Sequence, residues 1–137
     1  MTEPKTEPKT ELPTLVLDMT ATRIVAGAIA SRDFMPVHHD RAYANAQGAP
    51  DIFMNILSST GYCSRYLTDW AGPEAMIKKL AIRLGVPVFP GSTLTFTGRV
   101  TATSQEAGEQ VLDIEFQAAN ELGNHLTGTA VLTLPLR

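Results

Sequence analysis

Ile52-Phe53-Met54-Asn55-Ile56-Leu57-Ser58-Ser59-Thr60-Gly61-Tyr62-Cys63-Ser64-Arg65-Tyr66-Leu67-Thr68-Asp69-Trp70 is the stretch on which the fold turns. Ile52, Phe53, Ile56, Leu57, Thr60, Gly61, Ser64 and Leu67 recur three or four residues apart, the spacing that lines one face of a helix. At 1.5 Å per residue a helix over 52–70 spans roughly 28 Å, enough to cross a whole sheet. Gly61 and Ser64 fall on that face, where small side chains permit close approach to whatever lies beneath. Ala71-Gly72-Pro73 ends the helix.

Downstream the hydrophobic period drops to two. Strands are predicted over 79–88 and over 93–100, where Leu94, Phe96, Gly98 and Val100 alternate with Thr93, Thr95, Thr97 and Arg99. A third covers 112–117, with Leu112, Ile114 and Phe116 between Asp113, Glu115 and Gln117, and a fourth covers 126–134. Gly108 and Gly123-Asn124 mark the turns. Such alternation means one covered face and one wetter face, as in an antiparallel sheet. Upstream, residues 14–18 read as a short first strand. Ile24, Val25, Ala28 and Ile29 then recur at helical spacing behind Thr20 or Thr22 as a cap, although β-branched residues keep strand in competition. Asp40 reads as the cap of a short helix over 41–47, stopped by Gly48 and Pro50. One long helix followed by antiparallel strands predicts an α+β fold in which a single sheet wraps a central helix. That is the hot-dog arrangement, a pattern other α+β folds share.

The chain begins with Thr-Glu-Pro-Lys repeated, whose prolines and charges oppose helix and sheet alike. Residues 1–13 are therefore expected to be a disordered tail and residues 14–137 one domain. A length of 137 residues with 44% apolar content supports a core that needs neither disulfide nor metal. A net charge of −3, with no basic run longer than Lys78-Lys79, excludes a sequence-independent nucleic-acid binder. Cys63 is the single cysteine and can form no intrachain disulfide; among apolar neighbours with no flanking cation it reads as an inert core thiol. No N-terminal apolar stretch has the length of a signal sequence, and no run approaches the ~20 residues of a membrane span. A soluble, cytoplasmic protein with no membrane partner is expected.

The densest chemistry lies in Asp33-Phe34-Met35-Pro36-Val37-His38-His39-Asp40. Pro36 fixes its own φ and biases Met35 away from helix, so Asp33 and His38 sit at the ends of a segment with a reproducible shape. A carboxylate and an imidazole so held can be aimed at one water, which loses one proton and receives another during an addition. The bland alternative is a turn aspartate and a surface histidine. A metal site from His38, His39 and Asp40 would need further ligands, since adjacent side chains diverge and His125 lies far along the chain. No metal or cofactor is expected, and nothing resembles a hydrolase nucleophile elbow or a phosphate-cradling loop.

Asp33-x-Met35-Pro36-Val37-His38, followed after five intervening residues by Ala44, resembles the hydratase motif of MaoC-like proteins. The usual form is Asp-x-Asn-Pro-(aliphatic)-His-x5-(Ala/Ser), so Met35 stands where asparagine is usual. Pro87-Val88-Phe89-Pro90-Gly91-Ser92 resembles the Pro-Val-x-x-Gly-Asp turn of the same family. Arg32-Asp33-Phe34, Val37-His38-His39-Asp40-Arg41, Asp51-Ile52-Phe53, Asn55-Ile56-Leu57, Thr68-Asp69-Trp70-Ala71-Gly72-Pro73 and Arg83-Leu84-Gly85-Val86-Pro87 are similar to the small subunit of bacterial steroid side-chain enoyl-CoA hydratases. The resemblance covers roughly residues 14–137. It implies water addition across the trans-2 double bond of a CoA thioester, with Asp33 and His38 as the catalytic pair. It also implies a second MaoC-like subunit, in a heterodimer or heterotetramer. The family's His-Gly pair, whose glycine N–H receives the thioester oxygen, falls on Asn55-Ile56, which makes Asn55 and the Ile56 N–H the expected substrate contacts. Two rivals stay open: a hot-dog thioesterase, which would release free CoA, and a non-catalytic partner chain.

Overall fold

The computed structural model describes residues 10–136. Strand β1 (Leu15–Met19) leads to Thr20, whose side chain accepts the Arg23 N–H and caps α1 (Ala21–Ala30). That cap, with Ile24 and Ala28 buried on one face, decides the competition in favour of helix. α1 ends in a Schellman motif, with Asp33 N–H on the Ala28 carbonyl at 2.9 Å and Arg32 N–H on that of Ile29 at 3.0 Å. Arg32 takes the left-handed φ of 56° that glycine usually supplies there. A 3-10 turn (Pro36–His38) and α2 (Arg41–Ala46), capped by Asp40, follow.

The long helix, α3, spans Ile56–Ala71 rather than 52–70. Asn55 caps it through the Ser58 N–H, and Gly72, at a φ of 94°, closes it. Residues 52–55 are non-helical: Phe53 N–H bonds to the Val37 carbonyl at 3.2 Å and Met54 N–H to that of Val88 at 3.0 Å. Short apolar runs satisfy helical and extended patterns alike, and here tertiary bonds choose the extended one. The buried stripe is corrected with it. Ser59, Cys63, Tyr66, Leu67 and Ala71 face the core, whereas Ile56, Leu57 and Gly61, expected on the covered face, are exposed. Once Ile52 and Phe53 leave the helix, the stripe that turns Tyr66 and Leu67 inward is the one that buries most apolar surface.

β2 (Met76–Leu84), β3 (Ser92–Glu106), β4 (Glu109–Asn120) and β5 (Gly123–Pro135) complete one antiparallel sheet in the order β1-β3-β4-β5-β2. The fold is the α+β hot-dog arrangement. Leu94, Phe96 and Val100 of β3, Leu112, Ile114 and Phe116 of β4, and Leu126, Ala130 and Leu132 of β5 join Cys63, Tyr66 and Leu67 of α3 in one core. Phe116 lies between Gly98 and Gly128 on the neighbouring strands. A Cβ on Gly128 would fall 2.3 Å from the Phe116 ring, so the glycine makes room for the aromatic. Where β4 pairs β5 the register slips and leaves His125 unmatched, and this bulge turns His125 inward next to the buried Leu126.

Of the expected tail, residues 1–9 lie outside the described residues. Residues 10–12 are laid along β3: Val100 N–H reaches the Thr10 carbonyl at 2.7 Å, Leu12 N–H reaches that of Gly98 at 2.9 Å, and Leu12 is buried. Backbone pairing and an apolar anchor thus order the chain before residue 14. No described helix is long and apolar enough to cross a membrane.

Candidate active site

The Schellman end of α1 delivers Asp33, and the 3-10 turn delivers His38, whose Nε2 lies 3.4 Å from Asp33 Oδ2. His38 Nδ1 sits 2.7 Å from the Phe53 carbonyl oxygen. A carbonyl only accepts, so Nδ1 carries a proton and donates it, and Nε2 is the ring nitrogen that faces Asp33. The Phe53 ring also packs edge-on against the imidazole, centroids 5.0 Å apart, and Phe89 backs Phe53 at 6.5 Å. The His38 side chain is 10% exposed and that of Asp33 23%, so the ring is enclosed while water reaches the carboxylate.

Asn55, 1% exposed, joins this pair to α3. Its Nδ2 donates to Asp33 Oδ2 at 3.1 Å and to Ser31 Oγ at 2.9 Å, while its Oδ1 accepts both the N–H and the hydroxyl of Ser58. Ser31 Oγ donates onward to the Gly27 carbonyl at 2.7 Å. Both amide hydrogens and the carbonyl oxygen of Asn55 are committed within the protein. Asp33 Oδ1 accepts the Met35 N–H at 3.3 Å. Gly27 is small for a reason: a Cβ there would fall 2.3 Å from Ser58 Oγ, so the hydroxyl that bonds Asn55 Oδ1 would have to move.

Ile56 opens α3, and its N–H has no acceptor among the described residues. A helix N-terminus presents such donors with the positive end of the dipole. The Ile56 side chain is exposed, not folded into the core. The second motif supports the first from below: Val88 holds Met54 as described, and Gly91, at a φ of 89°, gives its N–H to the Met19 carbonyl at 2.8 Å.

His39 and Asp40 leave the pair. His39 Nε2 meets the Phe34 carbonyl at 3.3 Å on the surface, and Asp40 is spent on capping α2. Among the described residues no group of three or more His, Cys, Asp or Glu is arranged to hold a metal ion. Cys63 is buried, and burial pushes its thiol up to about 12. His125 is the residue that sequence reasoning passed over. Its Nδ1 donates to the Val86 carbonyl at 2.7 Å, leaving Nε2 to accept the Ser59 hydroxyl at 2.8 Å. Burial lowers its pKa, with the Val86 bond opposing. Only the bulge in β5 turns it inward, and a bulge has no signature in the local alternation.

A family model described as "MaoC like domain" matches residues 1–120. The 3-oxo-4,17-pregnadiene-20-carboxyl-CoA hydratase beta subunit of Mycobacterium tuberculosis is 48% identical over 123 residues, covering 90% of this chain and 92% of that protein. Among solved structures, the ChsH1-ChsH2 complex from Mycobacterium tuberculosis contains a chain that superposes with a TM-score of 0.88 at 46% identity, covering 95% of this chain and 99% of the other. The (R)-hydratase from A. caviae involved in PHA biosynthesis shares the fold, with a TM-score of 0.83 at 24% identity over 94% of this chain and 97% of its own. On the motif, the fold and these matches together, the chain belongs to the MaoC-like family.

Proposed function

We propose that this chain is the motif-bearing subunit of a heteromeric enoyl-CoA hydratase, and that Asp33 and His38 activate the water it adds. The observation that carries the reading is the approach of His38 Nε2 to Asp33 Oδ2 at 3.4 Å, with the other ring nitrogen held by the Phe53 carbonyl. At that distance one proton can be shared between the carboxylate and the imidazole, so the pair works as a single proton-holding unit. In the addition, the water oxygen bonds to C3 of a trans-2-enoyl-CoA and gives a proton to the pair. C2 takes a proton from the pair, the double bond becomes single, and the pair returns to its starting state. Negative charge that gathers on the thioester oxygen is met by the Ile56 N–H, where loss of one such donor typically costs about 3–4 kcal/mol of barrier.

The relative at 48% identity is named a beta subunit, and the matching structure is a complex of two named chains. The partner here is accordingly a second MaoC-like chain, and the exposed Ile56 and Leu57 at the start of α3 give it an apolar face to cover. The substrate assigned is a steroid side-chain enoyl-CoA, on the relative's name. A cytoplasmic location suits CoA-thioester chemistry and a reduced, buried Cys63.

The test is to incubate the chain, with and without its partner, with steroid and straight-chain 2-enoyl-CoAs. Loss of the conjugated-enoyl absorbance without release of free thiol supports hydration. Release of CoA thiol instead would establish the thioesterase, and activity that survives loss of both Asp33 and His38 would reduce the chain to a structural partner.

A further inference from the structure

We propose that Asn55 is a positioning residue for Asp33: the cap of α3 is also the group that aims the carboxylate at the reacting water. The inference rests on the hydratase reading and extends it to the side chain of Asn55, expected from the resemblance as a substrate contact, whose amide is bonded within the protein to Asp33, Ser31 and Ser58.

Capping alone does not require asparagine. An N-cap needs a side-chain oxygen to accept an N–H of the first turn, and serine or aspartate supplies one about as well. What asparagine adds is the NH2 group, and both of its hydrogens are used, one on Asp33 Oδ2 and one on Ser31 Oγ. An amide donor cannot accept a proton, so it holds Oδ2 without competing for the proton that passes between Asp33 and His38. With the Met35 N–H on Oδ1, both carboxylate oxygens are held and the plane of the group is set. Asn55 is itself immobilised from three sides, by Ser31, by Ser58 and by burial, so the bond to Asp33 is made with little further ordering. Met35 contributes only its backbone to this arrangement and its side chain is exposed, which leaves Asn55 as the one carboxamide on the carboxylate.

The test uses Asn55→Ser and Asn55→Asp in the full chain purified with its partner, assayed on crotonyl-CoA and a steroid 2-enoyl-CoA. Both variants keep an oxygen for the cap and lose the amide donor. If Asn55 positions Asp33, N55S lowers kcat roughly 100-fold, the scale of loss when a group is displaced by about an ångström, while KM stays near wild type and the chain remains folded. N55D loses more, because a second carboxylate then faces Asp33 Oδ2. If Asn55 only caps, N55S keeps wild-type kcat, and that result overturns the proposal. Wild-type protein that hydrates no enoyl-CoA would instead overturn the hydratase reading. The positioning claim is then read from the Asp33 carboxyl carbon-13 signal, assigned by its disappearance in Asp33→Asn. A shift of that signal in N55S supports the proposal and an unmoved signal refutes it.

Discussion

Asp33 and His38 are each oriented by an atom from residues 53–55: the Phe53 carbonyl turns the imidazole, and the Asn55 amide holds the carboxylate. The pair itself was legible, because both residues lie within one proline-stiffened segment. The atoms that aim them were not, since they come from 15 and 22 positions further along and meet the pair only after folding. The turn that delivers Asp33 was equally silent, because Arg32 stands where a Schellman end usually shows glycine. Asp33→Asn and His38→Ala should each reduce hydration by at least ~100-fold with the melting temperature little changed, the lower range for loss of a general acid or base. Steady-state turnover at saturating partner decides this, and near-normal rates in either variant would remove that residue from the mechanism. His39→Ala should leave turnover near wild type, since its ring meets only the Phe34 carbonyl on the surface.

The long helix and the sheet were legible as elements because both carry sustained hydrophobic periods. The start of α3 was not, because Ile52 and Phe53 satisfy a helical spacing that the bonds to Val37 and Val88 overrule. Two predictions belong at this scale. Gly128→Ala drives a methyl into the buried Phe116 ring and should destabilise the chain by about 1–3 kcal/mol, read from denaturant midpoints. Phe116→Leu made in the same chain should recover part of that loss, and strictly additive losses would mean that the ring is not what the methyl meets. His125 gives the second. Its folded pKa lies below the ordinary 6.5, so the unfolded chain takes up a proton at higher pH than the native one does. Its contribution is therefore fully present above about pH 6.5 and is lost as pH falls below it, by no more than about 1.4 kcal/mol per pH unit. The stability of His125→Gln should fall less steeply than that of wild type between about pH 7 and 5.5; parallel slopes would refute the linkage.

As a whole molecule the sheet ends in two edges, β1 and β2, and α3 begins with an exposed apolar face. Isolated chains with such surfaces seldom work alone. Sedimentation of the chain with its partner should give a stable complex that carries the activity, whereas an active monomer at micromolar concentration would exclude a required second subunit. On the purified pair, kcat/KM for a steroid 2-enoyl-CoA should exceed that for crotonyl-CoA and for a medium-chain enoyl-CoA. Straight chains used equally well would discard the steroid assignment and leave hydration standing. The strip at 53–55 also bears on how such enzymes are found in genomes. Every amino acid has a carbonyl, so the contact that orients His38 is written in the path of the chain and no letter reports it. The contact on Asp33 does have a letter, the asparagine at 55, outside the span from Asp33 to Ala44 that a pattern search inspects. A search confined to that span therefore never inspects the residue that bonds the Asp33 carboxylate in this chain, 22 places on.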